Sequence, residues 1–413
     1  MTKLIPFRNL ALRCTVFLCV LLLLLSCQPS AQILNINGAT GSVVAYSPAS
    51  TKVYLGSPSL AVLPNGDYMA SHDMFGPESS EYVQAVSRIY RSSDKGKTWH
   101  RVSEVNGAFW SKLFVHRDTL YFMGTDRHHG TLLIRKSGDG GKTWTKPTGT
   151  QNGLLLAGEY HCAPTPIIEH NGRIWRAMEL AFGPVRIWGK RYGTFMMSAP
   201  VDADLLKASS WTISDSLLFD STYLNGNFHG WCEGNAVIDR DGNIANILRV
   251  DDRTTFDEKA AIVKVSADGK HSTFDPKTGF IPFPGGSKKF VVHFDEKSGL
   301  YWTLSNYITR QYYDEVSNYP KRIRSSRVRN TLALSSSPDL YNWKVNGIIL
   351  QDTSVATHGF QYVDWQFEGD DIIFLSRTAY DDKEGGANNC HDSNFITFHR
   401  IKKFRGFSDK QVK

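Results

Sequence analysis

The sequence has little cysteine for its length. Six cysteines occur in 413 residues, and three of them lie within the first 27 positions. The other three, Cys162, Cys232 and Cys390, are too few to form a disulfide framework. The fold must therefore depend on an apolar core, which the 41% of hydrophobic residues can build in a chain of this length. Ordinary aromatic and charged fractions, 12% and 21%, exclude wholesale disorder and a fibrous repeat.

An excess of one charge is also nearly absent. The formal net charge is +7, and Lys3, Arg8 and Arg13 carry three of these charges in an N-terminal region that holds no acid. About +4 remains on the rest of the chain, which is too mild to indicate nucleic-acid binding. Such a balance is compatible with an anionic substrate.

One short apolar run follows these basic residues, at residues 16–25, and ends at Ser26 and Cys27. This order predicts a secretory signal peptide over residues 1–26, and the run is too short for a stable membrane span. Residues 24–27 resemble the lipobox of bacterial lipoproteins, which implies acylation of Cys27. We expect an exported protein whose residues 27–32 form a tether. Its only membrane contact would be this lipid anchor, at the bacterial outer membrane or the periplasmic face. Plain cleavage a few residues later is the alternative.

An apolar strand, a tight polar turn and a second strand recur six times. The copies occupy residues 60–70, 113–123, 166–178, 235–250, 290–305 and 362–377. Asn-Gly and Asp-Gly pairs between such segments predict β-hairpins. The mean spacing of roughly 60 residues leaves room for a second hairpin in each repeat.

A different motif marks that second hairpin. Residues 92–99 and 137–144 fit the pattern Ser-x-Asp-x-Gly-x-Thr-Trp, and residues 266–274 and 337–343 are weaker copies. This is the Asp-box of the sialidase-like β-propellers, which the sequence therefore resembles over nearly the whole mature chain. In that motif Ser and Asp brace a turn and Trp packs between sheets, so the aspartates are expected to be structural.

The repeats predict an all-β fold, a single β-propeller over residues 33–406 with four-stranded antiparallel blades and a tail at 407–413. Two further segments, residues 32–44 and 393–402, alternate like strands. Pairing of the last strand with the first closes the ring and covers the sheet edges. This pairing either completes a sixth blade or adds a seventh. We favour seven blades and a monomer.

Propeller geometry sorts the polar residues by face. If strands A to D run outward from the axis, the A–B turns and the Asp-boxes share one face. The starts of A, the ends of B and the starts of C share the other, where a ligand is expected. Most histidines and several arginines fall on this second face. The candidate substrate-binding residues are His72, Trp110, His128, Glu179, Tyr192, Trp231, Arg249, His358 and Arg377.

Within the superfamily the sequence is similar to two groups that act on rhamnose–uronate linkages. These are the ulvan lyases of polysaccharide lyase family 25 and the rhamnosidases of glycoside hydrolase family 145. Sialidases, by family pattern, use an arginine triad, a Tyr–Glu nucleophile pair and an Arg-Ile-Pro signature near the start. Residues 54–59 lack that signature, so the first resemblance is preferred. It implies an anionic, ulvan-like glycan substrate.

β-Elimination at a uronic acid needs a group that neutralises the carboxylate, a base for the C5 proton and an acid for the leaving oxygen. Tyr160 and Arg176 are 16 residues apart on two predicted strands, an arrangement similar to that of the lyases. His129 ends the B strand of the preceding blade. We predict Arg176 at the carboxylate, Tyr160 as acid or base and His129 as its partner, with His161 or Tyr192 as substitutes. The product is an unsaturated uronate, formed by a lyase or a dehydratase.

Two other functions stay open. A hydrolase of rhamnosidase type would use His72, and an ordinary glycosidase would use two carboxylates from Glu179, Glu233, Asp251 and Asp252. A non-catalytic glycan-binding lipoprotein would need the aromatic residues alone.

None of these functions requires a cofactor. A structural zinc is the one metal that the sequence indicates, because His229 and Cys232 have ligand spacing. Cys390 and His391 are the other candidate ligands, if they converge near the axis.

Overall fold

The computed structural model describes residues 33–36, 39–183, 185–252, 257–310, 312 and 323–407. The predicted signal peptide, the tether and Cys27 lie outside these residues. Within the described ranges, no helix is long and apolar enough to cross a membrane.

Six antiparallel sheets make up the described part of the chain, and they form the blades of a β-propeller, as predicted. The first strands are β1 (Ile33–Ile36) and β2 (Ala39–Tyr46). Blade 1 contains β3 (Tyr54–Leu55), β4 (Ser59–Val62), β5 (Tyr68–Phe75), β6 (Val86–Ser92) and β7 (His100–Asn106). Blade 2 contains β8 (Phe109–His116), β9 (Thr119–Thr125), β10 (Leu132–Ser137) and β11 (Leu154–Leu156). Blade 3 contains β12 (Tyr160–His161), β13 (Ile167–His170), β14 (Arg173–Leu180), β15 (Gly193–Pro200) and β16 (Thr212–Ile213).

The second half of the ring repeats this plan. Blade 4 contains β17 (Phe228–Ile238), β18 (Ile244–Asp252), β19 (Lys259–Val265), β20 (Ser272–Thr273) and β21 (Phe280–Pro282). Blade 5 contains β22 (Val291–Asp295), β23 (Leu300–Asn306), β24 (Thr331–Ser337) and β25 (Lys344–Gln351). Blade 6 contains β26 (Gly359–Glu368), β27 (Asp371–Ala379) and β28 (Phe395–Ile401), completed by β2 and β1. Short 3-10 helices lie at Ala49–Thr51, Ala208–Ser210, Tyr223–Gly226, Ser325–Arg327 and Phe404–Gly406. Each predicted repeat is the A–B hairpin of one blade.

The ring closes inside blade 6. β2 pairs with β28 from Ser42 opposite Phe398 to Tyr46 opposite Phe395, and β1 adds to the outer side of β2. The predicted closure by the terminal strands is therefore confirmed. The favoured count of seven was wrong, since the described residues form six blades. Blade 6 takes only three strands from the C-terminal part of the chain, so the N-terminal strands complete it instead of starting another.

Apolar side chains pack between neighbouring blades. Trp175 of blade 3 packs with Ala236 and Ile244 of blade 4. Phe398 of blade 6 packs with Tyr68 of blade 1, so the closure buries a core of the same kind. Full burial of one such side chain stabilises the fold by about 1.5–3 kcal/mol.

The Asp-boxes connect C and D strands, on the face opposite the strand ends that carry the polar residues. Asp139 accepts hydrogen bonds from the backbone N and Oγ1 of Thr143, at 2.9 and 2.6 Å. These bonds lower the pKa of Asp139 to about 2. Trp144 packs against Phe122 in the core between blades 1 and 2. The box braces its turn and fills a blade interface, as predicted.

Candidate active site

A cavity of about 260 Å³ opens on the face where the A strands begin and the B strands end. Every blade contributes a side chain to its wall, in blade order Asp73, Trp110, His161, Glu233, Arg329 and Tyr362. The cavity thus lies on the face predicted from the strand ends. Its volume is just below the usual range of small-molecule sites, about 300–1,000 Å³, which suits one sugar ring better than a long glycan chain.

Three of these residues stand on bulges of the innermost strands. The pairing register shifts by one residue beside Trp110 in β8, beside Glu233 in β17 and beside Tyr362 in β26. Their φ angles are 50°, 55° and 51°, in the left-handed region. A bulge leaves one residue unpaired and redirects its side chain, and such a φ costs roughly 1–3 kcal/mol. Blades 2, 4 and 6 therefore each use a strained β-bulge to direct a side chain into the cavity.

Arg249, Arg329 and Arg377 line the cavity from blades 4, 5 and 6, and all three are buried. Within the described part of the chain, Arg249 is the one of the three that forms an ion pair, between its Nη1 and Oε2 of Glu233 at 3.0 Å. Burial alone would raise the pKa of Glu233, but the surrounding positive charge, chiefly that of Arg249, and the hydrogen bond from Arg249 together outweigh burial and lower this pKa below its ordinary value. Glu233 is therefore an ionised carboxylate at neutral pH.

Arg329 and Arg377 have no carboxylate partner among the described residues. Arg329 donates from Nη1 to Oε1 of Gln361 at 2.5 Å, and Arg377 donates from Nη2 to the carbonyl of His391 at 2.5 Å. Burial lowers the pKa of Arg329 to about 10 and also lowers the pKa of Arg377. Burying a cation without an anion is costly, so these two guanidinium groups are prepared for an anionic ligand.

Tyr362 stands between these two arginines. Its ring centroid is 5.4 Å from Cζ of Arg329 and 4.8 Å from Cζ of Arg377. Positive charge at this distance favours development of negative charge on the phenol.

Asp73 is another buried carboxyl group of the cavity, which the buried Glu81 and Asp251 also line. Its Oδ2 accepts the backbone N–H of Trp110 at 2.7 Å, whereas its buried Oδ1 accepts no hydrogen bond from the described residues. Burial raises the pKa of Asp73 to about 6. A carboxyl group with this pKa holds its proton in mildly acidic solution and can act as a general acid.

A wall of aromatic rings and histidines faces the arginines. The Trp110 ring lies 4.4 Å from the His161 ring and 4.7 Å from the His128 ring, and all three line the cavity. Nδ1 of His161 is 2.9 Å from Oε2 of Glu179. The other oxygen of Glu179 accepts the N–H of Gly234 at 3.0 Å, so one carboxylate fixes both His161 and the bulge that carries Glu233.

The catalytic set predicted from the sequence does not line this cavity, apart from His161. Arg176 is fully buried in the middle of β14, where its Nη1 donates to the carbonyl of Met123 at 2.9 Å. The Tyr160 ring packs 5.9 Å from the Phe182 ring. His129 lies behind Trp110 and is 2.8 Å from the Tyr192 hydroxyl, and burial lowers its pKa to about 2.

The predicted substrate-binding residues divide in two. Trp110, His128, Arg249 and Arg377 line the cavity. Five others are buried behind it or elsewhere: His72, Glu179, Tyr192, Trp231 and His358.

The partners of the two histidines in this group explain why neither faces the cavity. His72 precedes Asp73 on β5 and, because strand side chains alternate, faces Tyr90 at 3.3 Å instead of the cavity. Nδ1 of His358 is 2.7 Å from Oδ1 of Asp352.

The predicted zinc ligands are not brought together. In the parts of the chain that the structure describes, no three His, Cys, Asp or Glu side chains form a group that could hold a metal ion. Cys232 is buried beside Tyr192, and Sγ of Cys390 contacts the carbonyl of Arg327 at 3.2 Å. His391 lines the cavity and lies 2.8 Å from Asp392, while His229 is not part of the cavity wall.

Sequence reasoning missed Asp73, Arg329 and Tyr362 as members of the site, and it named Glu233 only for the hydrolase alternative. The position of Arg329 at the start of a C strand was an available signal. The bulge at Tyr362 was not, because neighbouring residues alternate as in a regular strand.

No protein-family model and no curated protein sequence matches the chain. Solved structures do match its fold. A protein of unknown function from Dyadobacter fermentans superposes with a TM-score of 0.57 at 13% identity, covering 91% of this chain and all of that one. The α-L-arabinanase of Penicillium chrysogenum, complexed with arabinobiose, gives 0.51 at 15% identity, covering 90% and 99%. The Trypanosoma rangeli sialidase, in complex with sialic acid, gives 0.52 at 15% identity, covering 92% of this chain and 58% of that one. This chain is therefore similar in fold to the propellers of the sialidase and arabinanase type.

Proposed function

We propose that this protein is a retaining glycoside hydrolase that removes a terminal acidic sugar whose carboxylate is attached to the anomeric carbon, as in sialic acid. The observation that carries the proposal is the convergence of three buried arginines with Tyr362, Glu233 and Asp73 on one small cavity. The cavity volume suits one sugar ring, which favours a sugar at the end of a chain.

The arginines bind the carboxylate. Guanidinium groups bind carboxylates through short, charge-assisted bonds, which are strongest in a desolvated site. Arg329 and Arg377 lack an ion pair in the described structure, so a substrate carboxylate compensates the cost of their burial. The third member comes from Arg249, whose charge is shared with Glu233.

Tyr362 is the nucleophile and Glu233 is its base. A carboxylate nucleophile would be repelled by a substrate carboxylate on the reacting carbon, whereas a neutral phenol is not. Glu233 accepts the phenolic proton as Tyr362 attacks, and its bond to Arg249 keeps it ionised for this task. Most glycosidases use a carboxylate as the nucleophile, and sialidases are an exception because they use a tyrosine.

Asp73 is the general acid. In the first step it donates its proton to the leaving glycosidic oxygen, and a glycosyl–Tyr362 intermediate forms. In the second step Asp73 removes a proton from water, which attacks the anomeric carbon, and the departing Tyr362 oxygen recovers its proton from Glu233. Two displacements on one carbon return the original configuration.

The Arg-Ile-Pro signature expected of sialidases is absent, and Gly56 and Ser57 line the cavity in that region. Arg377 of blade 6 takes the place of the missing arginine. An arginine triad with a member in blade 1 would hold the substrate carboxylate nearer to that blade. With Arg377 as the third arginine, the carboxylate binds nearer to blade 6.

β-Elimination of a uronate is the second candidate, because the same arginines neutralise a carboxylate and His161 lines the same wall. It would use Arg249, Arg329 and Arg377 in place of Arg176. An ulvan-like polysaccharide remains the substrate of this second candidate only.

The experiment incubates the purified protein with the 4-methylumbelliferyl glycosides of N-acetylneuraminic acid and of glucuronic acid, and separately with ulvan. Fluorescence from the first glycoside supports the proposal. A rise in absorbance near ~235 nm with ulvan, which reports an unsaturated uronate, would replace it with the lyase. Binding of acidic glycans without any product would favour a non-catalytic module.

We also propose that the protein is anchored to the membrane by a lipid on Cys27 and that it is a monomer. Both points rest on the sequence alone.

A further inference from the structure

Two more arginines line the mouth of the cavity, outside the three buried ones. Arg324 and Arg327 are exposed and belong to the cavity wall contributed by blade 5. They lie at the two ends of a short 3-10 turn, whose Arg327 N–H donates to the Arg324 carbonyl at 2.8 Å. Side chains three residues apart in such a turn lie on the same side. The two guanidinium groups are therefore presented together.

The turn that carries them is held firmly. Ser325 and Ser326 are buried, and Val328 belongs to an apolar cluster with Ile308 and Val355. The carbonyls of the turn are also used: Ser326 accepts from Nε of Arg329 at 3.0 Å. The backbone beneath the two exposed arginines is thus fixed to the residue that binds the first anion.

Neither exposed arginine has an ion pair with a described carboxylate, unlike Arg186 and Arg191 of blade 3, which both bond Glu159. Two adjacent unpaired cations repel each other, and this repulsion is relieved by an anion placed between them. The three inner arginines already account for the carboxylate of the bound sugar. Arg324 and Arg327 have no role in that step.

We propose that Arg324 and Arg327 form a second anion subsite, which binds a sulfate or carboxylate group on the aglycone, the part of the substrate beyond the cleaved bond. The inference rests on the proposed function. The preferred substrates are then doubly acidic, with one anion in the cavity and another at its mouth.

The test measures dissociation constants by calorimetry for three α-glycosides of N-acetylneuraminic acid, with propyl, 3-sulfopropyl and 3-carboxypropyl aglycones. The Tyr362→Phe variant is used so that the ligands persist. We expect at least one anionic aglycone to bind about fivefold more tightly than propyl, since exposed ion pairs contribute modestly. The added Arg324→Gln/Arg327→Gln substitutions should abolish this gain and leave the propyl affinity within twofold.

The matched control is Lys97→Gln/Lys142→Gln, which removes two exposed charges from Asp-box turns on the opposite face. It should preserve the gain. Equal affinities for all three ligands, or an equal loss for all three in the arginine variant, would overturn the subsite and leave the proposed function standing. Failure of the propyl glycoside to bind would count against the proposed function itself. If the anionic aglycones also fail to bind, both proposals are overturned.

Discussion

Replacing Arg329 with methionine tests the proposed carboxylate site at a buried arginine that lines the cavity. The substitution keeps the apolar stem and removes a buried guanidinium that has no carboxylate partner among the described residues. Removing one partner of a buried charge-assisted pair costs about 2–5 kcal/mol. We therefore expect kcat/KM on a sialic acid glycoside to fall by roughly 30- to several thousand-fold, at 1.36 kcal/mol per factor of ten.

The loss must be separated from a folding defect, because Arg329 also bonds Gln361 and Ser326. Arg135→Met is the matched control. Arg135 is also buried, donates to the Gly107 carbonyl at 2.7 Å, and has a pKa that burial likewise lowers to about 10. It lies on blade 2 and does not line the cavity. Both variants should lose thermal stability, but only Arg329→Met should lose activity.

The methyl ester of the substrate completes the assay. It lacks the charge that the arginines recognise, so the parent protein should hydrolyse it at least about 100-fold less efficiently than the acid, and Arg329→Met should narrow this difference. Activity of Arg329→Met within threefold of the parent, or equal use of ester and acid, would refute the carboxylate assignment.

Four further predictions follow from the same structure. The hydrolysis rate should fall as pH rises through about 6, because Asp73 must be protonated to donate its proton. Asp73→Asn should abolish this pH dependence and should slow hydrolysis of alkyl glycosides more than that of aryl glycosides in steady-state assays. Tyr362→Phe should lower kcat by about 10³ or more with intact thermal unfolding. Asp139→Ala should lower the free energy of unfolding by about 1–2 kcal/mol, measured by denaturant titration, with kcat unchanged. Cys27→Ala should move the expressed protein from the membrane fraction to the soluble fraction.

Each of these has an outcome that counts against it. A rate that does not change with pH on either side of the Asp73 pKa of about 6 would exclude Asp73 as the general acid. Near-normal turnover by Tyr362→Phe would exclude it as nucleophile. A loss of activity in Asp139→Ala without loss of stability would give the Asp-box a role that its position opposite the cavity does not explain. Unchanged membrane association of Cys27→Ala would leave the lipid anchor without support.

The fold was predictable because its signals are local. Each hairpin turn and each Asp-box is encoded within about ten residues, and counting them gave the six A–B hairpins. The blade number depends on pairing between β2 and β28, which are about 350 residues apart in the chain. The residue pattern of β2 and β28 does not indicate whether these strands complete an existing blade or begin another.

The face of the site was predictable, but its central residues were not. Strand ends placed Trp110, His161 and Arg377 on the face that carries the cavity, because their position depends only on strand order. Arg176 was chosen for its spacing, yet β14 continues to Leu180, so Arg176 lies inside the strand and away from the cavity. Tyr362 depends on a bulge, which appears in the register and leaves no mark in the residue pattern.

Proton NMR during hydrolysis of an alkyl α-glycoside of N-acetylneuraminic acid distinguishes retention from inversion at the anomeric carbon. We expect the free sugar to be detected first as the α-anomer and then to convert to the β-anomer in solution, because attack by Tyr362 followed by water retains configuration. First detection of the β-anomer, an unsaturated product, or no reaction with any acidic glycoside would contradict the retaining mechanism.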